Sequence, residues 1–205
     1  MVILTVWIKL VSRGPVFFVQ ERVGYKGRRF MIYKFRSMKY GAETKVHENY
    51  FQDLMRNGQP MVKLDAYGDK RLIFLGALIR ASGLDELPQI INIICGDMSL
   101  VGPRPCTPSE FAKYEPWQRE RCNALPGLTG NWQVNGKNLT TFDQMMRLDI
   151  TYTRNVSFWG DVRIMLRTPK AILKQVFQPK PPPPTVPVRM VNPIEDLMES
   201  RGLGR

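Results

Sequence analysis

The sequence predicts an α+β domain that is mostly helical and carries one small antiparallel β-hairpin. Residues 16–23 and 28–38 are rich in strand formers, and the turn residues at 24–27 separate them, as is typical of a hairpin. Downstream of residue 70, helix-start signals precede segments with apolar residues at helical spacing. A chain of 205 residues with 43% apolar residues suits one domain followed by a tail.

The N-terminal segment at residues 1–11 is apolar except for Thr5 and Lys9. As a helix it would be about 16 Å long, roughly half of a bilayer core. Two interpretations follow from composition: a strand or helix of the core, or the distal part of a membrane-inserted element. No segment of the chain reaches the roughly 18 apolar residues of a spanning helix.

After the hairpin, residues 40–70 are polar and predict irregular structure with one short helix around residues 48–56. A helix is expected over residues 72–80, and a second from near Leu84 to Cys95, where Gly96 ends it. Pro88 is compatible only with the first turn of that second helix, where a missing N–H matters little.

The next three helices are predicted from their N-terminal caps. Thr107, Pro108 and Glu110 form a capping-box pattern for a helix expected to end near Asn123. A loop is expected at residues 126–130, and irregular structure continues over residues 133–137. Thr140 or Thr141 caps a helix over residues 142–154. Ser157 caps another over residues 158–177, which Pro169 should kink or split. The proline-rich residues 179–205 predict a mostly disordered tail.

The net charge of +12 predicts an anionic partner: nucleic acid, a membrane surface or a phosphorylated small molecule. A single histidine, His47, disfavours Ser-His-Asp chemistry and a histidine-rich metal site. The three cysteines have no metal-ligand spacing. Phosphate-loop, GxGxxG, HExxH and zinc-finger patterns are all absent from the sequence.

The strongest candidate for chemistry is the pair Asp85 and Glu86, at a predicted helix N-terminus. Adjacent side chains diverge by about 100° on a helix, so one acid can attack while the other holds a cation. Arg80 lies about one turn upstream, where it can face a phosphate. The alternative is a pair of surface acids that favour the positive end of the helix dipole.

Basic residues form two further candidate clusters. Arg104 stands between two prolines in a rigid turn at residues 96–105, which suits recognition of a phosphate or serves only as a connector. Lys34 and Arg36 lie near the end of the second strand of a very basic hairpin and are candidates for binding an anionic substrate. The alternative is a solvated basic face. The basic, aromatic helix at residues 158–177 predicts either a membrane-interface helix or a surface helix packed on the core.

Five blocks of this chain occur together and in one order, at residues 14–24, 33–38, 84–89, 96–105 and 126–136. This combination resembles the bacterial sugar transferase family, the monotopic polyprenyl-phosphate phosphoglycosyl transferases. The resemblance covers roughly residues 8–177. It implies transfer of a sugar 1-phosphate from a UDP-sugar to undecaprenyl phosphate, with release of UMP.

The resemblance also implies residue roles. Asp85 matches the nucleophile that forms a phosphosugar-enzyme intermediate, and Glu86 matches the residue that helps to hold Mg²⁺. Basic residues around the diphosphate are matched by Lys34, Arg80 and Arg104. Lys137 stands at a phosphate- or uridine-contacting position where many members carry arginine. Asp149 matches a substrate-binding acidic residue of the family.

The implied organisation is a remnant of a membrane-inserted helix at residues 1–11, a catalytic domain at residues 12–178 and the tail. The implied location is the cytoplasmic face of the bacterial inner membrane. The expected partners are an anionic membrane surface and undecaprenyl phosphate, and a homodimer is compatible with the sequence. No nucleic-acid partner is expected. The alternatives are a catalytically silent membrane-surface scaffold derived from the family and a basic nucleic-acid-binding module.

Overall fold

The computed structural model describes residues 1–41, 60–61, 69, 71–137 and 139–177. The short helix expected around residues 48–56 and the tail expected at residues 179–205 lie outside the described residues. What is described supports the predicted class: helices surround one antiparallel hairpin, and no described helix is long and apolar enough to cross a bilayer.

The hairpin consists of β1 (Phe17–Val23) and β2 (Arg29–Phe35), joined by a 3-10 turn at Tyr25–Gly27. The strands are antiparallel, with Phe17 opposite Phe35 at one end and Val23 opposite Arg29 at the other. Val23, Ile32 and Phe35 are buried. The predicted hairpin is therefore confirmed, and it supplies residues to two parts of the core.

The N-terminal segment forms helix α1 (Val2–Val11) rather than a strand. Ile8 is fully buried against Val16 and Phe35, while Ile3 and Leu10 on the other side are largely exposed. One stripe of α1 thus docks the helix on the hairpin and on Ile73, while Val2, Ile3 and Leu10 remain largely exposed.

Helix α2 (Gly76–Ser82) begins four residues later than predicted. Leu72 instead pairs with Met38 in an isolated β-bridge, and Leu75 adopts a left-handed conformation with φ 56°. Both features are incompatible with a helix that starts at Leu72. The second predicted helix is present as a 3-10 turn (Leu84–Gln89) followed by α3 (Ile90–Ile94), and Gly96 follows its end with φ 81°.

A second, parallel strand pair was not predicted. It joins β3 (Ser99–Val101) to β4 (Gly127–Thr129), a segment expected to be a loop. Each strand has three residues, too few to show an alternating pattern. The pairing needs close approach of Gly102 to Gly127. The Gly102 N–H donates to Thr129 O, and the Gly127 N–H donates to Pro103 O.

The capping box at Thr107 is confirmed, but its helix, α4 (Pro108–Ala112), ends well before Asn123. Pro116 explains the error because proline removes an N–H and disfavours helical conformation at the preceding residue. The chain resumes as a separate 3-10 helix at Gln118–Asn123. Within the stretch expected to be irregular, a short helix α5 (Asn131–Val134) forms.

The last two helices match the prediction in their bounds: α6 (Phe142–Arg154), capped by Thr141, and α7 (Phe158–Phe177). Pro169 lies inside one continuous helix, so the expected alternative of two helices is wrong. The hydroxyl of Tyr152 on α6 contacts Val101 O at 3.1 Å and Asp161 Oδ1 at 2.9 Å. These contacts join α6, α7 and β3 around the second strand pair.

Candidate active site

Asp85 and Glu86 share the 3-10 turn between α2 and α3. Gly83 ends α2 in a left-handed conformation with φ 73°, and its carbonyl accepts a 3.0 Å bond from the Glu86 N–H. Three residues per turn align Glu86 with Gln89 and Asp85 with Pro88. Asp85 is only 5% exposed, whereas Glu86 and Gln89 border an open cleft. The two carboxylates therefore have different environments.

The buried amide of Asn92 fixes the acidic turn against the hairpin. Its Nδ2 donates to Met31 O at 2.7 Å, and its Oδ1 accepts from the Tyr33 N–H at 3.3 Å. Asn92 thereby acts like a neighbouring strand for β2. The two bonds bring the carboxyl groups of the 3-10 turn beside Lys34, the next residue of β2.

Lys34 and Glu86 form a partly buried ion pair. Lys34 Nζ lies 2.6 Å from Glu86 Oε1, and the side chains are 16% and 23% exposed. Burial alone would raise the pKa of Glu86, but the charges of Lys34, Arg104 and Lys137 hold that pKa well below its ordinary value. Glu86 is therefore ionised throughout the physiological pH range.

Burial has the opposite consequence for the cations. It lowers the pKa of Lys34, although Glu86 and Asp85 oppose the change. Burial, with a smaller contribution from Arg104, also lowers the pKa of Arg22 to about 10. Positive charge is thus concentrated where water screens it poorly, which favours an anionic ligand.

Arg104 projects from a loop whose main chain is held at each residue. Four consecutive carbonyl oxygens, those of residues 103–106, accept hydrogen bonds: from Gly127 N at 2.9 Å, Arg121 Nη2 at 2.9 Å, Arg22 Nη1 at 3.3 Å and Val23 N at 2.8 Å. These donors come from three parts of the chain: β1, the 3-10 helix at Gln118–Asn123 and β4. The loop is therefore rigid, as the flanking prolines predicted.

These elements border a cleft that opens to solvent. Its polar lining consists of Arg22, Lys34, Glu86, Gln89, Arg104 and Gln133. Among these lining residues, three are cationic and one is acidic. The cleft is suited to a ligand that carries more than one negative charge.

The profile of a family described as bacterial sugar transferase matches residues 1–175. The chain belongs to this family. Galactosyl transferase CpsE of Streptococcus agalactiae is 44% identical over 164 residues, which cover 78% of this chain and 35% of that protein. The undecaprenyl-phosphate galactose phosphotransferase of Salmonella typhimurium is 36% identical, covering 82% of this chain and 36% of that protein.

A third relative is the UDP-glucose:undecaprenyl-phosphate glucose-1-phosphate transferase of Xanthomonas campestris. It is 37% identical over 183 residues, which cover 85% of this chain and 35% of that protein. The chain thus spans about a third of the length of these three curated relatives. The sequence resemblance to the sugar transferase family is confirmed.

The structure brings some of the predicted site residues of this family member together. Lys34, Glu86 and Arg104 border the cleft, with Asp85 buried beside them. Lys137 is close enough for its charge to lower the pKa of Glu86. Arg80 lies in the last turn of α2, and its Nη1 is 3.4 Å from Ser37 Oγ.

Two predicted substrate-binding residues have other surroundings. Arg36 is buried and donates from Nη1 to Arg13 O at 2.5 Å and from Nη2 to Ser12 O at 2.8 Å, so it holds the chain just after α1. Asp149 is 1% exposed and forms an ion pair with Arg121 behind the Arg104 loop. Neither side chain belongs to the lining of the cleft.

Sequence reasoning did not select Arg22, Gln89, Gln133 or Arg121. The first three stand inside the motif blocks, so their position was a signal that residue type alone did not carry. Gln133 places a buried Oε1 without a hydrogen-bond partner at the cleft, while its Nε2 donates to Leu128 O at 3.3 Å. Arg121 fell within a helix predicted to be continuous, and its role depends on tertiary contacts.

Among the described residues, no group of three His, Cys, Asp or Glu side chains could form a metal cage. The adjacent carboxyl groups of Asp85 and Glu86 fit a different arrangement. Mg²⁺ commonly takes one or two protein carboxylates and completes its shell with water and substrate phosphate oxygens. The donor set of this cleft is therefore compatible with a magnesium ion that arrives with a phosphorylated substrate.

Proposed function

We propose that this sugar transferase moves a sugar 1-phosphate from a UDP-sugar to undecaprenyl phosphate and releases UMP. The observation that carries the proposal is the buried Asp85 beside Lys34, Glu86 and Arg104 in one cationic cleft. The printed names of the Salmonella and Xanthomonas relatives describe this class of reaction. Such chains would start an exopolysaccharide or O-antigen glycan on its lipid carrier.

The charge of the cleft suits this reaction because both substrates are anions. A diphosphate donor and a phosphate acceptor repel an attacking carboxylate. Fixed cations in a site of low polarity offset that repulsion and stabilise the charge that develops on phosphate oxygens. Lys34, Arg22 and Arg104 are placed to do so, and Glu86 keeps Lys34 oriented.

Asp85 is proposed as the nucleophile. One of its carboxylate oxygens attacks the phosphorus that bears the sugar, and the bond from this phosphorus to the bridging oxygen of UMP breaks. UMP leaves with that oxygen and the electron pair, so the sugar phosphate remains on Asp85. A phosphate oxygen of undecaprenyl phosphate then attacks the same phosphorus, which frees Asp85 and forms the lipid diphosphate sugar.

Magnesium is the proposed cofactor. Glu86, with Asp85 adjacent, would hold it, and its chemistry would be charge neutralisation on the diphosphate. The chain's own contribution is to keep Glu86 ionised: the charges of Lys34, Arg104 and Lys137 lower its pKa, so protons do not compete for the carboxylate.

The proposed location is the cytoplasmic face of the bacterial inner membrane. Large apolar side chains are exposed on α1 and α7, among them Ile3, Leu10, Trp159, Leu166 and Phe177. On α7 they are interleaved with Arg163 and Lys170, a pattern that suits an anionic lipid interface. Residues 1–11 would belong to the membrane-inserted part and residues 12–178 to the catalytic domain.

The test is UMP release by the full chain in nanodiscs that contain undecaprenyl phosphate, with Mg²⁺ and a panel of UDP-sugars. The parent should release UMP with one or a few donors, and Asp85→Asn should lose at least about 10³-fold in rate. Asp143→Asn is the matched control because Asp143 occupies the exposed first turn of α6. It should leave the rate unchanged.

Two further measurements make the proposal specific. Without acceptor, intact-protein mass spectrometry should find one sugar phosphate added to the parent and none on Asp85→Asn. A chelator should stop UMP release, and Mg²⁺ should restore it. If the folded parent releases no UMP from any donor, a non-catalytic scaffold replaces the enzyme. Tight, salt-sensitive RNA or DNA binding without turnover would favour the nucleic-acid module.

A further inference from the structure

The ion pair between Arg121 and Asp149 lies directly behind the Arg104 loop. Arg121 belongs to the 3-10 helix Gln118–Asn123 and Asp149 to α6, and their side chains are 3% and 2% exposed. The same Nη2 of Arg121 that contacts Asp149 donates to Arg104 O at 2.9 Å. Nη1 donates to Tyr114 Oη at 3.0 Å. One guanidinium thus joins the 3-10 helix, α6 and the Tyr114 side chain to the main chain of Arg104.

We propose that Arg121 and Asp149 are positioning residues that act on the reaction through Arg104. The inference rests on the proposed function, because it assigns Arg104 to the phosphate groups of the substrate. Asp149 orients the guanidinium of Arg121, which holds the Arg104 carbonyl, so the Arg104 side chain leaves a fixed main chain and enters the cleft. Asp149 itself touches no substrate in this arrangement.

Three observations support this assignment over direct substrate contact by Asp149. The residue is 1% exposed and lies outside the lining of the cleft. Its carboxylate already accepts from Arg121. Arg104 O is also the second of the four held carbonyls, so loss of its donor would loosen the loop at the residue that carries the functional side chain.

Fold stability alone does not require a charged pair here. Replacing a buried ion pair by apolar side chains of similar volume is often neutral or stabilising, whereas removing one partner leaves an uncompensated charge. A purely structural role predicts that the apolar replacement Arg121→Met with Asp149→Leu keeps full activity. A positioning role predicts a folded protein with a misplaced Arg104.

The chain offers a matched control for the apolar replacement. Glu120 and Arg154 also join the 3-10 helix to α6, through bonds of 2.5 and 2.6 Å, but this pair lies at the surface. The variant Glu120→Gln disturbs the same element contact without touching the Arg104 loop. It should leave every measurement below unchanged.

The first experiment measures kcat/KM for UMP release in a double-mutant cycle. We expect about a 100-fold loss for Arg104→Gln and between about 10-fold and 100-fold for the apolar Arg121/Asp149 replacement. Combining the two should lose no more than Arg104→Gln alone, because the pair acts only through Arg104. Losses that multiply would overturn the proposal, as would full activity of the folded apolar variant.

The second experiment needs no turnover. Amide hydrogen exchange of the full chain is followed at Val23 and Gly127, whose N–H groups bond the carbonyls on either side of Arg104. Exchange should become at least about 10-fold faster in the apolar variant and in Asp149→Asn, and stay unchanged in Glu120→Gln. Unchanged exchange in the folded apolar variant would overturn the positioning role. A parent that releases no UMP would instead refute the proposed function and leave the exchange result intact.

Discussion

Replacing Gly102 by alanine tests the close approach of β3 and β4, on which the Arg104 loop depends. A Cβ built at Gly102 would lie 2.2 Å from Leu125 O and 2.8 Å from Gly127 N. Both neighbours are main-chain atoms, so neither can rotate away as a side chain would. The two segments must separate by roughly 1 Å to restore ordinary contact.

The expected loss of stability follows from the bonds that this separation breaks. Gly102 N donates to Thr129 O at 2.9 Å, and Gly127 N donates to Pro103 O at 2.9 Å. Breaking each bond, with its buried N–H left unpaired, costs about 2 kcal/mol in total. The lower flexibility of alanine in the unfolded chain offsets up to about 1 kcal/mol. The free energy of unfolding should therefore fall by about 3 kcal/mol.

The assay is urea unfolding of the full chain in detergent, with Gly83→Ala as the comparison. Nothing lies within 4 Å of a Cβ at Gly83, but its φ of 73° is unfavourable for alanine. That variant should lose about 1 kcal/mol through conformation alone. A Gly102→Ala variant no less stable than Gly83→Ala would refute the reasoning, since it would mean that the strand pair yields without breaking its bonds.

Three further predictions concern single side chains. Thr141→Ala removes the capping box of α6 and should lower the free energy of unfolding in urea by about 1 kcal/mol; an unchanged value would contradict the assigned cap. Arg36→Met should lower the free energy of unfolding by about 2 kcal/mol and leave the KM for the donor unchanged, because Arg36 donates to carbonyls outside the cleft. A raised KM without a loss of stability would mean that Arg36 binds the substrate. Burial raises the pKa of Asp149 to about 6, although the charge of Arg121 opposes the change. Below that pH the native chain therefore keeps a proton on Asp149 that the unfolded chain has already lost. The free energy of unfolding of the parent relative to Asp149→Asn should therefore fall as the pH rises from about 4 to about 7, and a rise would contradict the shift.

The sequence was informative where one local rule determined the outcome. The hairpin, the capping boxes at Thr107 and Thr141, and the bounds of α7 follow from alternation and caps within a few residues. The acidic turn was found for the same reason, since Asp85 and Glu86 stand at a helix start. Lys34 and Arg104 were assigned to the same site as these two acids because motif blocks that lie far apart in the chain occur in one order.

The predictions differ from the structure where a contact between distant residues, or the effect of a proline, determines the local conformation. Leu72 pairs with Met38 across the chain instead of entering α2, and β4 is a strand only because β3 lies beside it. Pro116 was present in the sequence and already indicates that α4 cannot continue to Asn123. The surroundings of Arg36 and Asp149 could not be predicted, because packing decides which carbonyl or which ion-pair partner a buried charged side chain meets.

The separation of the cleft residues along the chain bears on the order of events during synthesis. Arg22 and Lys34 leave the ribosome first, but the strand β4 that supports the Arg104 loop follows more than a hundred residues after Arg22. Contacts of such large sequence separation form late in folding. A nascent chain that ends before Gly127 therefore exposes a cationic hairpin without its assembled cleft, and the cleft is completed only when β4 pairs with β3.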